Sequence, residues 1–176
     1  MFIEIESLKP EPLYVRHVYG MGELGFEHDD AFLGAPVCTD FILTHKEKDL
    51  RVEGTVETEI RHLCARCLRE CSYRLSAAFD LTYLPQPVSR GVDEEIELKD
   101  EDMVVGFYDG IRLDVDLMIL EQIELAMPMK FLCGEDCKGL CPECGANLND
   151  DPCACKRDAG DTRLAALLKF RRKADR

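Results

Sequence analysis

The sequence predicts an α+β protein built from an antiparallel β-sheet that could close into a barrel-like shape, one or two helices, and a cysteine-rich C-terminal segment. Between about residues 37 and 84, apolar and polar residues alternate over several consecutive segments, which is typical of strands with one face towards water. Six cysteines then fall between Cys133 and Cys155. This density indicates a metal-binding segment rather than a hydrophobic core.

The chain is expected to contain three regions. Its 176 residues, 46% of them hydrophobic, can supply one domain with a core that does not need disulfides. We expect a β-rich domain over 1–130 with a helix near 114–126, a cysteine-rich segment over 131–160, and a basic helix or tail over 161–176.

Three strands follow one another in the first region. Apolar residues share one parity from Val52 to Ile60 and again from Tyr73 to Tyr83, where Pro85 ends the pattern. The segment 38–46 also has the composition of a strand, and the polar turn "EKD" joins it to the next one. Together these segments predict an antiparallel meander from about 37 to 84.

Two helices are predicted after the meander. The first begins at Asp114 or Asp116, either of which could cap it, and ends before Pro128. The second begins near residue 161, because the leucines that follow have i, i+3, i+4 spacing.

The beginning of the sequence predicts a cytoplasmic protein. It shows no basic and apolar pattern of an export signal, and no stretch approaches the roughly 18 apolar residues of a membrane span. In a reducing compartment, ten cysteines are expected to serve as metal ligands or redox groups rather than as structural disulfides.

The net charge limits the possible partners. With 22 basic and 35 acidic residues, the chain carries −13, so it repels polyphosphate at long range and is not a generic nucleic-acid binder. The charge is uneven: 93–102 is strongly acidic, which predicts a solvated loop, whereas 156–176 carries +5. Any contact with RNA must therefore be local.

The stretch "GMGELG" from Gly20 to Gly25 matches the glycine pattern of a dinucleotide-binding loop. Such a loop must open a helix that returns to a parallel strand. The residues that follow have no helical stripe, and Pro36 interrupts them. A flexible loop is the better interpretation.

Two C-x-x-C pairs have the spacing of zinc knuckles, in which a tight turn lets both sulfurs reach one ion. The first is Cys64 and Cys67 at the predicted hairpin tip, and the second is Cys141 and Cys144, followed by Gly145 where a left-handed backbone is needed. The spacing predicts two four-thiolate zinc sites. Their proposed ligands are Cys64, Cys67, Cys133 and Cys137 for the first site, and Cys141, Cys144, Cys153 and Cys155 for the second.

Other interpretations of the thiols stay open from the sequence. Cys64 and Cys67 could instead pair with Cys141 and Cys144, and the thiols could form disulfides or hold an iron–sulfur cluster. A thioredoxin-like redox pair would require a helix after the first cysteine, which the hairpin setting does not offer. The remaining thiols and a nearby histidine are expected to pack in or beside strands: Cys38, Cys71 and His62.

Several motifs resemble one family. The segments "CARCL", "LAMPMKFLCGEDCKGLCPECGANLN", "CAC" and "DTRLAALLKF" are similar to those of the YceD-like large-ribosomal-RNA-accumulation family, with Thr162 where a proline is expected. The resemblance implies a process, accumulation of the large-subunit ribosomal RNA, and a genetic association with a small, basic large-subunit ribosomal protein. It implies no defined biochemical activity.

Two functions fit that process. The first is a non-catalytic ribosome biogenesis factor that binds a basic ribosomal or assembly protein, and the net charge favours it. The alternative is direct binding of ribosomal RNA through basic residues of the hairpin tip and the tail. A zinc hydrolase is not expected, because four cysteine ligands leave no position open for water. The basic residues of that alternative are Arg61, Arg66, Arg69 and Arg74 at the tip and Arg163, Lys169, Arg171, Arg172, Lys173 and Arg176 in the tail.

Overall fold

The computed structural model describes residues 1–86 and 105–155. These residues form eight β-strands and one α-helix. In chain order they are β1 (Phe2–Glu4), β2 (Leu13–Tyr19), β3 (Ala31–Leu33), β4 (Val37–Lys46), β5 (Asp49–Leu63), β6 (Glu70–Pro85), β7 (Val105–Tyr108), β8 (Arg112–Asp114) and α1 (Val115–Ala126).

The main sheet is open and mostly antiparallel. Its strands lie in the order β2-β4-β5-β6-β7, with β3 beside the last residues of β5, while β1 and β8 form a separate pair. Among these described strands the two edges, β2 and β7, do not pair with each other, so the sheet does not close into the barrel-like shape that the sequence allowed. The predicted meander over 37–84 is confirmed as β4, β5 and β6. Strand β7 pairs with β6 in parallel, which departs from the predicted all-antiparallel sheet.

The period-2 pattern places the core on one face of the sheet. Val52, Val56 and Ile60 of β5 are completely buried, and each lies opposite an apolar or aromatic residue of β6. Helix α1 covers this face with Met118, Ile119 and Ile123. Burial of these side chains supplies the main driving force for folding, at roughly 25 cal/mol per Å² of apolar surface.

Helix α1 begins and ends where its sequence predicts. The Asp114 carboxylate accepts hydrogen bonds from the backbone N–H groups of Asp116 (3.1 Å) and Leu117 (3.3 Å), which satisfies two of the free donors of the first turn. The helix ends at Ala126, before Pro128. In the described part of the chain, no helix is long and apolar enough to cross a membrane. The predicted second helix and the basic tail, as well as the acidic segment 93–102, lie outside the described residues.

The hairpin of β5 and β6 extends beyond β4, and among the other described strands only the short β3 lies beside its last residues. Strand β4 pairs with β5 only as far as Glu57, while the β5–β6 ladder continues to Leu63. The chain after α1 returns to this hairpin tip, where the backbone N–H of Ala65 donates to the carbonyl of Phe131 at 2.9 Å. Hairpin tip and C-terminal segment are therefore adjacent, as a shared metal site requires.

The glycine-rich stretch from Gly20 to Gly25 contains a turn and opens no helix, in agreement with its interpretation as a loop. The Gly20 N–H donates to the Glu23 carboxylate, and Gly22 takes a positive φ of 83°. No helix follows before β3. The stretch thus lacks the helix N-terminus that a dinucleotide phosphate site needs.

Candidate metal centre

Both C-x-x-C segments form the same turn. In the first, the N–H of Leu68 donates to the carbonyl of Cys64 at 2.9 Å, and the N–H of Cys64 donates to the carbonyl of Arg69 at 2.9 Å. The second turn repeats these two bonds from Gly145 to Cys141 and from Cys141 to Ala146, at 2.9 and 2.8 Å. The residue after the second cysteine is left-handed in both turns, with φ of 58° at Leu68 and 72° at Gly145. The left-handed backbone predicted at Gly145 is confirmed.

The first thiol quartet joins the hairpin tip to the segment after α1. The sulfurs of Cys64, Cys67, Cys133 and Cys137 all lie within 4.8 Å of one another. The Sγ atoms of Cys64 and Cys137 are 3.8 Å apart, and those of Cys67 and Cys133 are 3.6 Å apart. A tetrahedral ion with bonds of about 2.3 Å to sulfur separates its ligands by about 3.8 Å. The quartet thus fits one tetrahedral ion.

The second quartet is local in sequence. The sulfurs of Cys141, Cys144, Cys153 and Cys155 lie within 4.8 Å of one another. Both quartets have the members that the spacing predicted, and the alternative pairing of Cys64 and Cys67 with the second knuckle is not the arrangement found. That the eight thiols ligate a metal stays a prediction.

Hydrogen-bond donors favour the charged form of Cys64 and Cys137 in the first quartet and of Cys141 in the second. Burial raises the pKa of the Cys64 thiol, but backbone N–H donors, with that of Arg66 the strongest, outweigh burial and lower this pKa to about 6. The backbone N–H groups of Cys144 and Glu143 lower the pKa of Cys141 to about 6. Burial raises the pKa of Cys137, but donors from the Asn149 side chain and the Gly139 backbone outweigh burial and lower this pKa. Thiols with a lowered pKa ionise before their neighbours, and the thiolate is the form that binds zinc.

Two other thiols in each quartet have a raised pKa: Cys67 and Cys133 in the first, Cys153 and Cys155 in the second. The neighbouring sulfur of Cys144 and burial raise the pKa of Cys155 to about 12, and the sulfur of Cys137 is the largest cause that raises the pKa of Cys133. Four adjacent acids cannot all lose their protons without a counter-charge. A divalent cation would supply that charge, and each quartet has the donors to accept it.

The distances disfavour two of the alternatives. A disulfide requires about 2.05 Å between sulfurs, whereas the closest sulfurs are 3.6 and 3.8 Å apart and all ten cysteines are free. A cluster of several irons spreads its four thiolates over two or more metal atoms, which needs a wider cage than 4.8 Å. Strand, turn and strand surround the first C-x-x-C pair, so a thioredoxin-like arrangement is absent there.

Three residues outside the quartets had been expected in or beside strands. His62 is buried in β5, where its ring stacks on Phe131 at 4.3 Å between centroids, and it belongs to neither quartet. Cys71 is partly buried and packs against the first quartet. Cys38 lies in β4 but is exposed, so its predicted packing is wrong. Successive residues of β4 face opposite sides of the sheet, and Cys38 shares its side with Asp40, on the charged face.

Arg66 and Arg69 fix the C-terminal segment to the hairpin tip. The Arg66 guanidinium donates to the carbonyls of Glu135 and Cys137, each at 2.9 Å, and the Arg66 carbonyl accepts from the N–H of Leu140 at 3.1 Å. Arg69 forms an ion pair of 2.7 Å with Asp150 beyond the second knuckle. Both quartets are thereby held at one end of the sheet.

Two of the four hairpin-tip arginines that the sequence offered for RNA, Arg66 and Arg69, are engaged by the protein, and the other two form only loose, exposed ion pairs. Arg61 lies 3.8 Å from Glu59, and Arg74 lies 4.0 Å from Glu57. Arg66 and Arg69 hold the C-terminal segment as just described. The remaining candidates lie outside the described residues: Arg163, Lys169, Arg171, Arg172, Lys173 and Arg176.

One functional residue was missed by the sequence reasoning. The Asn149 side chain donates to the Cys137 sulfur at 3.4 Å and accepts from the Lys138 N–H at 2.8 Å. Asn147 orients it through a bond of 2.8 Å. The available signal was the "NLND" stretch directly after a knuckle, because asparagine side chains commonly satisfy nearby turns.

Comparisons with known proteins agree with the motifs. The sequence model of the YceD family, described as large ribosomal RNA subunit accumulation protein YceD, matches residues 52–171. An Arabidopsis thaliana protein named large ribosomal RNA subunit accumulation protein YCED homolog 1, chloroplastic, is 28% identical over 159 residues. An uncharacterized Mycobacterium tuberculosis protein is 30% identical over 174 residues. No solved structure matches.

These relatives differ in how much of their own length is matched. The alignment covers 78% of this chain but 49% of the Arabidopsis protein, so the chain spans about half the length of that relative. For the mycobacterial protein the shares are 97% and 81%. The family model covers more than half of the chain, including the hairpin tip and all eight cysteines of the quartets. The chain therefore belongs to the YceD family.

Proposed function

We propose that this protein is a non-catalytic ribosome biogenesis factor that supports accumulation of the large-subunit ribosomal RNA by binding a basic ribosomal or assembly protein. A small, basic large-subunit ribosomal protein is the kind of partner we expect. In this proposal one zinc ion in each quartet makes the end of the sheet rigid, and the partner binds to the surface held there. The description of the YceD family supports the process.

The single observation that carries the choice of partner is the charge of the described residues. The −5 of residues 87–104 and the +5 of residues 156–176 cancel, so residues 1–86 and 105–155 account for the whole net charge of −13. A surface of this sign attracts basic proteins and repels RNA phosphates. Zinc would not reverse it, since four thiolates and one Zn²⁺ carry −2 per site.

Engagement of the tip arginines counts against the RNA alternative. A guanidinium that already donates to a carboxylate or to carbonyls is held in place by those bonds and has fewer N–H donors left for a phosphate. The Nη1 group of Arg66 donates to two carbonyls, and the Nη2 group of Arg69 donates to Asp150. Counterion release from RNA would also have to exceed the general repulsion.

The quartets support a structural role for the metal. Four protein sulfurs complete a tetrahedron, whereas catalytic zinc keeps one position for water or substrate. The first quartet also joins residues distant in sequence, Cys67 and Cys133 being 66 positions apart. A metal bound there restricts the unfolded chain and so stabilises the fold.

Affinity purification of the tagged, full-length protein tests the proposal. Cells are cross-linked briefly, and the purified sample is divided into two equal parts. One part is treated with ribonuclease, and the proteins and RNA in both parts are then identified. We expect a small basic ribosomal protein in near-equal amount to the bait in both halves. A partner that disappears with ribonuclease, together with a protected fragment of large-subunit RNA, would contradict the proposal and favour direct RNA binding.

A pair of charge variants, one acidic and one basic, tests the choice of partner. Replacement of Glu94, Glu95 and Glu97 by Gln removes three acids from the acidic segment without touching a predicted ligand. It should reduce capture of the basic protein several-fold because part of the attraction is electrostatic. Arg171, Arg172 and Lys173 changed to Ala should leave that capture unchanged, whereas RNA binding would depend on them.

A further inference from the structure

An apolar groove lies between the hairpin tip and the end of α1. It has a volume of about 450 Å³ and belongs to neither quartet, although Cys64 contributes to its wall. Its lining is largely hydrophobic. The apolar residues that line it are Leu63, Ala65, Leu68, Met127, Pro128, Met129 and Phe131.

Several of these side chains face solvent in the described part of the chain. Met129 is fully exposed, Leu68 is 61% exposed and Leu63 is 49% exposed. Single exposed apolar residues are ordinary, but a group of them around one concave surface is typical of a binding site. The groove therefore has the surface of a docking site.

Leu68 gives an independent indication that this surface is functional. It has a left-handed φ of 58°, which brings the Cβ of a leucine close to the next carbonyl oxygen. The second knuckle has Gly145 at the same place in an otherwise identical turn, with φ of 72°, and glycine adopts this conformation without strain. The first knuckle thus displays a large apolar side chain where glycine would be easier to accommodate, and such strain tends to occur at functional positions.

The charges at the groove indicate the kind of partner. Asp30 and Glu124 line it, and Lys130 is the one basic side chain among its lining residues. Asp29 and Glu70 are next to lining residues in sequence or across the β5–β6 ladder. Within the described ranges, none of these four acids takes part in an ion pair, whereas the acids of the charged sheet face do. Asp30 and Glu124 against Lys130 leave the lining with a net charge of −1, and Asp29 and Glu70 keep its rim acidic, since the neighbouring Arg69 is already paired with Asp150.

We propose that this groove is the docking site for a cationic amphipathic segment of the basic protein partner, with apolar side chains in the groove and Lys or Arg on the acidic rim. The inference rests on the proposed function and gives its partner a binding surface. An amphipathic segment that places apolar anchors at i, i+3, i+4 and i+7 is the usual ligand of such a groove. Residues 161–176 of this chain have similar chemistry, so they are a competing occupant that the test must separate.

Binding of a defined peptide to the full-length, zinc-loaded protein tests the proposal. The probe is a fluorescein-labelled 16-residue peptide of Lys and Leu with leucines at helical spacing, and the control peptide has the same composition in scrambled order. At physiological salt we expect the probe to bind at least tenfold more tightly than the control. Equal binding of the two peptides would show attraction by charge alone and overturn the proposal.

Leu68→Gly is the decisive variant, because it removes the displayed side chain and also relieves the left-handed strain. We expect the probe to bind at least tenfold more weakly, while zinc content stays unchanged and Tm is equal or slightly higher. Met21→Ala removes another exposed apolar side chain that does not line the groove, and it should have no effect. Unchanged probe binding by Leu68→Gly would overturn the proposal.

The competing occupant is tested by changing Leu164, Leu167 and Leu168 to Asp in the full-length chain. If the probe binds only to this triple variant, the chain's own C-terminal segment fills the groove and the proposal is wrong. The proposal and the proposed function can fail separately. If Leu68→Gly captures the basic protein from cells as well as the wild type does, the groove is not the docking site, and the proposed function stands. If the wild type captures none, the function itself fails.

Discussion

Loss of one cysteine ligand should cost more stability at the first quartet than at the second. We compare Cys67→Ser with Cys144→Ser, since each change removes the second cysteine of a knuckle and leaves three thiolates. In each quartet a bound ion would join this cysteine to a cysteine of the next pair along the chain, and the sequence separation between the two sets the size of the closed loop. Cys67 and Cys133 are 66 positions apart, whereas Cys144 and Cys153 are nine positions apart.

The difference follows from the loops that a metal ion bound at each quartet would close. In the loop-entropy relation used for covalent cross-links, closing a 66-residue loop contributes about 4.4 kcal/mol and closing a nine-residue loop about 2.6 kcal/mol. We expect each change to release the ion of its quartet, because three thiolates are an incomplete shell, and Cys67→Ser should then lower the free energy of unfolding by about 1.8 kcal/mol more than Cys144→Ser. For a chain of this size, that difference amounts to about 4 to 7 °C in Tm.

The assay is thermal and urea unfolding of the reduced proteins, with zinc measured on the same samples. Cys38→Ser is the matched control, because Cys38 is exposed and belongs to neither quartet, and it should retain wild-type zinc and Tm. Equal losses for the two ligand variants, or a larger loss for Cys144→Ser, would refute the reasoning that the first metal connects the sheet to the C-terminal segment.

Three further predictions concern the sheet, the tip and pH. Gly54→Ala should lower the free energy of unfolding, measured in urea, by about 2 to 3 kcal/mol, because the new Cβ would overlap the Phe41 Cβ. Gly25→Ala is the control and should have little effect, since its new Cβ meets nothing within 4 Å. Equal stability of the two variants would contradict this prediction. Arg66→Ala removes two bonds to carbonyls and should speed zinc loss to a chelator several-fold, whereas Arg61→Ala, which breaks an exposed ion pair, should not. In the metal-free protein, the pKa of Cys64 is lowered to about 6. Its thiolate therefore contributes its full stabilisation above the pKa of the unfolded chain, about 8.5, and this contribution is lost as pH falls through about 6. Thiolate absorbance at 240 nm that vanishes well above pH 7 would be inconsistent with this prediction.

The parts of the fold predicted from sequence are those with strong local patterns. Strict alternation over β5 and β6 gave the meander, and Asp114 together with Pro128 gave the limits of α1. The C-x-x-C spacing predicted the turn that holds Cys64 and Cys67, although it left open which later cysteines complete each quartet. Each of these signals lies within a few residues of the structure that it predicts.

The rest depends on contacts between distant segments. Strand β2 has no clear alternation of its own and is defined by its pairing with β4, and β7 is a short strand placed by parallel pairing with β6. The hairpin-tip arginines looked free for RNA, because their carbonyl and carboxylate acceptors lie up to 81 positions further along the chain. The left-handed backbone at Leu68 was hidden because leucine rarely adopts it.

X-ray absorption at the zinc edge, with metal quantified per chain, tests the central claim most directly. The claim is that eight thiols in two quartets hold two ions that make a protein-binding surface rigid. We predict a colourless protein with two zinc ions per chain and four sulfur neighbours at about 2.3 Å around each, and loss of one ion in Cys141→Ser. Oxygen or nitrogen ligands, metal–metal scattering from an iron–sulfur cluster, or a reduced, folded protein without metal would contradict the account.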